Sequence, residues 1–193
     1  MNCAKIIGGS LKGRKFLLPK INGARPTKSI ARESIFDALQ GEIEDLAFVE
    51  VFAGSGSVGL EAISRGAGFA IFIERDREVF KILEQNIAAL KIDNAKLFFG
   101  DAFALIASVV KYLESTGKRA RFYFDPPFSI REGFSDIYEK TQAAIASLSP
   151  TVAAGVIVEH SSGFRLEDNL GSFAISKRRK FGKTTLSYYL LER

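Results

Sequence analysis

The sequence is poor in the residues that carry disulfide, metal and redox chemistry. Its 193 residues include one cysteine (Cys3), one methionine, one histidine (His160) and no tryptophan. A single cysteine cannot form an internal disulfide, and one cysteine with one histidine falls short of the ligands of a conventional zinc site. We therefore expect neither a disulfide framework nor a bound metal.

Long apolar runs and the features of a secretory leader are also missing. The longest wholly apolar runs are a handful of residues, far short of the roughly 18 needed to cross a bilayer. Residues 1–13 are basic but contain no apolar core of a signal peptide. At 47% hydrophobic and 25% charged residues, the chain has the composition of a folded domain. We expect a soluble, cytoplasmic monomer that binds no membrane.

Acidic residues are absent from the first 32 positions, so the charge is distributed unevenly. Residues 1–32 carry a formal charge of +8, residues 177–193 carry +5, and the stretch between them carries −8. Two basic ends around an acidic middle favour an anionic polymer as partner, although a solvated basic surface would give the same pattern. Aromatic residues and glycines interleaved with the basic ones favour nucleic acid. The candidate nucleic-acid-binding residues are Lys12, Arg14, Lys15, Arg25, Lys180 and Lys183.

The pattern of apolar residues predicts an α/β fold. A short hairpin (4–8 and 14–18) and a helix (28–40) come first. Short apolar runs then alternate with helical periodicity, which predicts a doubly wound, Rossmann-like, mostly parallel sheet. We expect a single domain over 1–193, with a basic extension over 1–45 and a catalytic core over 46–193. The seven predicted strands are 48–52, 70–73, 96–99, 121–124, 155–158, 173–176 and 185–190, the last two as an antiparallel hairpin at the sheet edge; the predicted helices are 58–65, 77–90, 103–113 and 134–147.

A glycine-rich turn follows the first strand of this core. Gly54, Gly56 and Gly59 match G-x-G-x-x-G, and Glu74 ends the next strand, where an acid can accept hydrogen bonds from ribose hydroxyls. Glycines allow a tight turn and a close approach of the backbone to a ligand. Glu50 would repel a pyrophosphate but suits a ligand that bears an ammonium group. A solvated charge at the end of a strand is the other interpretation of Glu50.

Two further strand ends carry candidate binding residues. Asp101 follows the third strand, where it either caps the next helix or binds the amino group of a purine. The fourth strand runs into Asp125-Pro126-Pro127-Phe128. The prolines remove two backbone donors and stiffen the chain, Asp125 is an acceptor, and Phe128 is a face for base stacking. This combination suits the exocyclic amine of a base taken out of its stack, whereas a rigid turn is the alternative.

These motifs resemble known families. The glycine turn with Glu50 resembles the cofactor loop of class I S-adenosylmethionine-dependent methyltransferases, and the Asp-Pro-Pro-Phe element resembles the motif of those that methylate exocyclic amines. Over nearly the whole chain, the sequence resembles the bacterial 16S ribosomal RNA guanine-N2 methyltransferases of the RsmD type. The segments that carry this resemblance are Ile6-Ile7-Gly8-Gly9 with Gly13-Arg14-Lys15, Arg25-Pro26-Thr27 with Arg32-Glu33 and Phe36, Phe52-Ala53-Gly54-Ser55-Gly56 with Gly59-Leu60-Glu61-Ala62, Glu74 with Asp76-Arg77, Asp125-Pro126-Pro127-Phe128, and Phe181-Gly182 before Tyr188-Tyr189.

The resemblance implies a cofactor, a substrate and a set of site residues. The implied reaction methylates N2 of a guanine in 16S ribosomal RNA, free or in the assembling small subunit. The implied catalytic residues, which would hold the guanine, are Asp125, Pro126, Pro127 and Phe128. The implied S-adenosylmethionine-binding residues are Glu50, Gly54 and Gly56 for the methionine moiety, Glu74 for the ribose, and Asp101 and Ala102 for the adenine, with Phe52 and Arg75 beside them. Thr27 and Arg32 are implied to approach either the carboxylate of the cofactor or the substrate. Two departures from the family pattern are mild: Glu50 stands where Asp is common and Phe181 where Tyr is common.

Three other functions compete with this one. A DNA adenine-N6 methyltransferase would use the Asp-Pro-Pro-aromatic motif equally well. An NAD-linked oxidoreductase would use the G-x-G-x-x-G turn, but it explains neither Glu50 nor the element at Asp125. A non-catalytic RNA-binding module of ribosome assembly would have no need of either motif. Cys3 and His160 receive no functional role.

Overall fold

The chain forms two compact units, residues 1–102 and 103–193. The structure is a computed structural model, and it describes residues 2–19, 29–127 and 136–192. The single domain predicted from the sequence, with its internal boundary between residues 45 and 46, stays a prediction.

The first unit contains a two-stranded hairpin and three parallel strands. Strands β1 and β2 pair antiparallel, with Lys5 opposite Lys15. The parallel strands have the order β5-β4-β3. The elements are β1 (Cys3–Lys5), β2 (Lys15–Leu17), α1 (Ser29–Ala38), β3 (Ala47–Glu50), α2 (Ser57–Ser64), β4 (Phe69–Glu74), α3 (Arg77–Leu90) and β5 (Ala95–Phe99).

Helix α3 has the bounds that its sequence predicts, because both of its ends carry strong local signals. The Asp76 carboxylate accepts hydrogen bonds from the N–H groups of Glu78 (2.9 Å) and Val79 (3.0 Å), which caps the N-terminus. Val79 and Leu83 belong to the buried stripe at helical spacing. At the C-terminus, Lys91 takes the left-handed conformation that ends many helices (φ 56°).

The N-terminal hairpin (residues 3–17) is fixed to helix α2 by a buried carboxylate. Glu61 is fully buried, and its two oxygens accept hydrogen bonds from the N–H groups of Ile7 (2.9 Å) and Gly8 (2.8 Å). The Arg65 guanidinium lies 2.9 Å from the same carboxylate. The Ser64 hydroxyl adds a bond from Leu11 N–H (2.9 Å). The basic hairpin is therefore an integral part of the first unit.

The second unit contains five strands, with the order β6-β7-β10-β9-β8. Strands β6 and β7 are parallel, and the other neighbouring pairs are antiparallel. The elements are α4 (Ala102–Ser115), β6 (Ala120–Phe124), α5 (Ile137–Ala146), β7 (Ala153–Ser161), β8 (Asn169–Leu170), β9 (Phe173–Phe181) and β10 (Thr184–Leu191).

The predicted α/β class is confirmed, with one correction to the strands. Beyond the N-terminal hairpin, the described residues hold eight strands where seven are predicted. The additional strand, β8, pairs only Asn169 and Leu170 with β9, and two residues are too few to show an alternating pattern. The predicted antiparallel hairpin β9–β10 is present, but β9 is not the edge strand of the sheet because β8 pairs with it. Within the described part of the chain, no helix combines the length and apolarity needed to cross a membrane.

Candidate cofactor and base sites

The turn between β3 and α2, residues 51–56, is the candidate cofactor loop. It contains two glycines in the left-handed region, Gly54 (φ 54°) and Gly56 (φ 81°), where other residues are strained. A Cβ atom on Gly56 would also lie 2.6 Å from Cδ1 of Leu83, so helix α3 packs directly against the loop. A Cβ atom on Gly54 would meet nothing within 4 Å, which leaves open space beside its backbone. Phe52 lies half-buried in the same turn.

Glu50 ends strand β3 and binds the start of helix α2. It is 2% exposed, and its carboxylate oxygens accept hydrogen bonds from the N–H groups of Val58 (3.1 Å) and Gly59 (2.8 Å). A Cβ atom on Gly59 would lie 2.3 Å from a ring carbon of Phe72, so this approach requires glycine. Glu50 is thus not a solvated strand-end charge, and its observed contacts hold the loop and helix together. Its predicted contact with the ammonium group of a cofactor stays a prediction.

Burial changes the ionisation of this carboxyl group. It raises the pKa of Glu50 from 4.5 to about 8, although the N–H groups of Gly59 and Val58 and the positive charge of Arg32 act in the opposite direction. Much of the Glu50 population is therefore protonated at neutral pH. A cation that binds nearby would favour the carboxylate form.

Glu74, at the end of β4, is brought to the same loop. Its Oε2 accepts a hydrogen bond from Gly54 N–H (2.8 Å), and its Oε1 accepts one from Asp76 N–H (2.7 Å). A carboxylate offers about four acceptor positions, so two remain for other donors. The side chain is half-buried and thus accessible from one side. The arrangement can accept hydrogen bonds from the hydroxyls of a sugar.

Arg75, Asp101 and Ala102 follow the neighbouring strand ends. The Arg75 Nη1 atom lies 4.0 Å from Asp101 Oδ2, and the two side chains are 59% and 50% exposed. Such an exposed pair contributes about 0–1 kcal/mol to stability. Asp101 immediately precedes helix α4, which begins at the buried Ala102. Asp101 therefore lies at the start of α4, and its contact with a purine stays a prediction.

Arg32 contacts the N-terminal hairpin, and its positive charge also acts on the Glu50 carboxyl group beside the cofactor loop. The side chain is 3% exposed, its Nη2 donates to the Lys5 carbonyl (3.0 Å), and its guanidinium carbon lies 5.6 Å from the centre of the Phe16 ring. These contacts hold helix α1 against the hairpin. A direct contact of Arg32 with the cofactor stays a prediction, and the predicted residues Thr27, Arg25 and Phe128 lie outside the described residues.

In the second unit, strand β6 leads to the candidate base site. All five residues of the strand are buried, whereas Asp125 and Pro127 are half-buried and Pro126 is buried. Phe124 pairs with Val158 of the parallel strand β7, so Asp125 leaves the sheet beside Glu159. Asp125 therefore directly follows a fully buried strand of the sheet.

Buried polar side chains that the sequence analysis missed lie near Asp125. Glu159 accepts a hydrogen bond from the Tyr123 hydroxyl (2.6 Å), and the Tyr138 hydroxyl accepts one from Ser161 N–H (2.8 Å). Burial raises the pKa of Tyr138, and the negative charges of Asp125 and Glu159 raise it further. Two features of the sequence could have indicated these buried polar groups. One is the tyrosine between Phe122 and Phe124, and the other is the glutamate directly after the apolar run 155–158.

His160 is a buried structural residue by its contacts. Its Nε2 lies 2.8 Å from the Ser187 hydroxyl, and its Nδ1 lies 3.0 Å from the Ser161 carbonyl. Burial lowers the pKa of this imidazole. The imidazole thus connects strand β7 with strand β10 through the Ser187 hydroxyl.

The basic candidate residues form two exposed groups, one in each unit. Lys12, Arg14 and Lys15 are exposed on the N-terminal hairpin, where Arg14 also donates to the Ala89 carbonyl (3.2 Å). Lys180 and Lys183 are exposed on the β9–β10 hairpin. Both groups can contact phosphates.

Comparison with known proteins places the chain in a family. A family model described as conserved hypothetical protein 95 matches residues 4–190. The chain belongs to this family. It is 41% identical over 124 residues to the Ribosomal RNA small subunit methyltransferase D of Escherichia coli (strain K12), a match that covers 64% of the chain but only 60% of that relative.

Two further similarities extend over almost the full length. The chain is 26% identical over 190 residues to YlbH of Bacillus subtilis (strain 168), covering 96% of the chain and 97% of the relative. The solved structure of yhhF from Escherichia coli superposes with a TM-score of 0.78 at 31% identity and covers 99% of both chains. The α/β fold is thus shared with solved members of the class I methyltransferase fold.

Proposed function

We propose that this chain transfers a methyl group from S-adenosylmethionine to the N2 amine of a guanine in 16S ribosomal RNA. The observation that carries the proposal is the half-buried Asp125 at the end of a fully buried strand, followed by two residues that have no N–H group. The printed name of the Escherichia coli relative supports ribosomal RNA as the substrate.

In this proposal the first unit binds S-adenosylmethionine. The open space beside Gly54 admits a ligand to the backbone of the loop. Glu74 accepts a hydrogen bond from Gly54 N–H and still has acceptor positions for ribose hydroxyls. Glu50 presents a carboxyl group whose ionised form a nearby cation would favour. The ammonium group of the methionine moiety is such a cation. Asp101 and the backbone of Ala102 bind the adenine in this proposal.

The residues around Asp125 hold the amine that receives the methyl group. When bound, S-adenosylmethionine supplies a methyl group on a positively charged sulfur. Asp125 accepts a hydrogen bond from one N–H of the amine, and the Pro126 carbonyl accepts one from the other. These two hydrogen bonds direct the nitrogen lone pair away from the ring. Asp125 then takes up the proton that the amine loses, at a carboxylate oxygen. Positioning and electrostatics of these fixed groups carry the catalysis.

The two basic groups hold the RNA by its phosphates. Lys12 and Lys15 do so from the N-terminal hairpin, and Lys180 and Lys183 do so from the β9–β10 hairpin. Phosphate contacts position a nucleic acid without reading its sequence, so the choice of base belongs to the site at Asp125.

The decisive experiment incubates the protein with methyl-labelled S-adenosylmethionine and four acceptors: free 16S ribosomal RNA, assembled 30S particles that lack the modification, genomic DNA and no acceptor. The products are digested to nucleosides and separated. We expect label in N2-methylguanosine from one or both RNA samples. Label in N6-methyladenine of DNA would overturn the substrate. No label anywhere, with cofactor binding intact, would overturn the proposed activity in favour of a non-catalytic RNA-binding protein.

A further inference from the structure

One buried amide connects the N-terminal hairpin with the cofactor loop. Asn86 of helix α3 is 1% exposed. Its Oδ1 accepts a hydrogen bond from Leu17 N–H (2.7 Å), and its Nδ2 donates to the Leu17 carbonyl (3.0 Å). The same Nδ2 also donates to the carbonyl of Ser55 (3.0 Å), which lies between Gly54 and Gly56. Three of the four hydrogen-bonding positions of an amide are thus used to join two distant segments.

Apolar packing joins the same three segments. Ile6 and Phe16 of the hairpin, Ala53 of the cofactor loop, and Leu83 and Leu90 of α3 belong to one buried cluster. Leu83 also packs against Gly56. Helix α3 is therefore the common base on which the hairpin and the loop rest.

Displacement of either segment leaves the amide incompletely paired. If the end of β2 moves away, Asn86 loses both bonds to Leu17, and if the loop moves, it loses the bond to Ser55. A buried polar group without its partners is costly, so the two segments are most stable when both are in place. A ligand that orders one segment consequently lowers the cost of ordering the other.

We propose that Asn86 is a positioning residue that couples the N-terminal hairpin to the cofactor loop, so that RNA binding and cofactor binding strengthen each other. This inference rests on the proposed function, in which the hairpin contacts RNA and the loop contacts S-adenosylmethionine. Linkage requires the coupling to be reciprocal: each ligand raises the affinity for the other by the same factor.

The first test measures the affinity for S-adenosylhomocysteine by calorimetry, with and without a 16S ribosomal RNA transcript. We expect the RNA to tighten binding to the wild type about fivefold or more, which is the lower range of allosteric coupling. In Asn86→Ala this ratio falls to about one. Asn94→Ala is the matched control, because the Asn94 amide also donates to a carbonyl, that of Gly68 (3.2 Å), which belongs to neither the hairpin nor the loop. A ratio of one in the wild type, or an unchanged ratio in Asn86→Ala, overturns the coupling.

The second test needs no ligand and separates the inference from the proposed function. Hydrogen exchange is followed in the wild type, Asn86→Ala and Asn94→Ala. We expect faster exchange in Asn86→Ala at Leu17 and at Gly54–Val58, with the amides of β6 and β7 unchanged; uniformly faster exchange would show a general loss of stability and overturn a specific link. If the wild type binds no S-adenosylhomocysteine, the proposed function fails, while the exchange pattern still decides whether Asn86 connects the two segments.

Discussion

Three carboxyl groups of the candidate sites have different environments. Glu50 is buried and binds the start of a helix, Glu74 is half-buried and retains acceptor positions, and Asp125 ends a strand in the other unit. The sequence predicts Glu74 at the end of the second strand of the core, but not the hydrogen bond that its carboxylate accepts from Gly54 N–H. The partners of Glu50 could not be predicted, because they depend on how closely α2 approaches the end of β3.

Replacement of Asp125 tests its role as acceptor and base. We expect Asp125→Asn to lower kcat by about 10²–10³-fold, the usual effect of removing one electrostatic contact to a reacting group. The affinity for S-adenosylhomocysteine should stay within about twofold, because the proposed contacts of Asp125 are with the base rather than the cofactor. The measurements are methyl transfer to 16S ribosomal RNA and calorimetric binding.

Asp136→Asn is the control for this substitution. Asp136 is an exposed carboxylate in the same unit, paired with Lys140 at 2.8 Å, and its loss should leave kcat unchanged. Equal losses of kcat and of cofactor affinity in Asp125→Asn would contradict the assignment.

Glu50 gives a prediction about pH and stability. Its pKa in the folded protein is about 8, above the value of 4.5, so the folded state binds the proton more tightly than the unfolded state. Its stabilising contribution is complete below pH 4.5 and is lost as the pH rises through 8. We expect the free energy of unfolding to fall less between pH 5 and pH 8.5 in Glu50→Gln than in the wild type. The difference should be a few kcal/mol, since each tenfold change in proton affinity corresponds to about 1.4 kcal/mol.

Urea unfolding at the two pH values measures this difference. Glu33→Gln, which replaces an exposed glutamate of helix α1, should keep the pH dependence of the wild type. The same pH dependence in Glu50→Gln and the wild type would refute the raised pKa.

At the scale of the element, local signals predict some segments fully and leave others incomplete. Helix α3 carries its own cap and a regular apolar stripe, so its predicted and observed bounds agree. Strand β9 extends to Phe181, beyond the predicted 173–176, because its second half is a run of charged residues that pairing with β10 holds in place. Strand β8 exists only through its pairing with β9. Pairing with a neighbouring strand, rather than an apolar pattern in the strand itself, defines both of these strands.

The hairpin provides a prediction at this scale. Glu61→Gln keeps the shape of the side chain but replaces one acceptor oxygen with an NH₂ group. This NH₂ group then faces the N–H of either Ile7 or Gly8, and one of the two hydrogen bonds is lost. We expect a loss of about 1–3 kcal/mol in the free energy of unfolding and faster hydrogen exchange at residues 3–17. Glu84→Gln, on the exposed face of α3, should change neither. Unaltered exchange of the hairpin in Glu61→Gln would show that the carboxylate does not hold it.

At the scale of the whole molecule, the uneven charge of the sequence predicts the basic surfaces but not how they are built. The formal charge of +8 on residues 1–32 includes the buried Arg32. It also includes Arg14, which donates a hydrogen bond to the carbonyl of Ala89 near the end of helix α3. The charge available to a polyanion is therefore smaller than the sequence count. Family membership was predicted from motifs spread over the chain, and the family match over residues 4–190 confirms it.

The salt dependence of RNA binding measures the remaining charge. Each phosphate contact that is removed should reduce the slope of log K against log salt by about 0.7–0.9. We expect Lys12→Ala/Lys15→Ala and Lys180→Ala/Lys183→Ala each to lower the slope measured with 16S ribosomal RNA by up to twice this amount. Lys81→Ala, whose ammonium lies 2.8 Å from Glu78, is the control and should leave the slope unchanged. A slope that neither double variant alters would place the RNA elsewhere on the surface.

The attachment of the N-terminal hairpin to helix α3 also has a consequence for synthesis of the protein. Leu17 and its partner Asn86 are 69 residues apart in the chain. At about 5–20 residues per second, the ribosome needs roughly 3–14 s to translate from one to the other. During that interval helix α2, which binds the hairpin through Glu61, is already made, but Leu17 still lacks its partner on α3. The buried cluster that contains Ile6 and Phe16 also lacks Leu83 and Leu90. The hairpin that is proposed to bind ribosomal RNA therefore completes its packing only after the helix that supports the cofactor loop has been made.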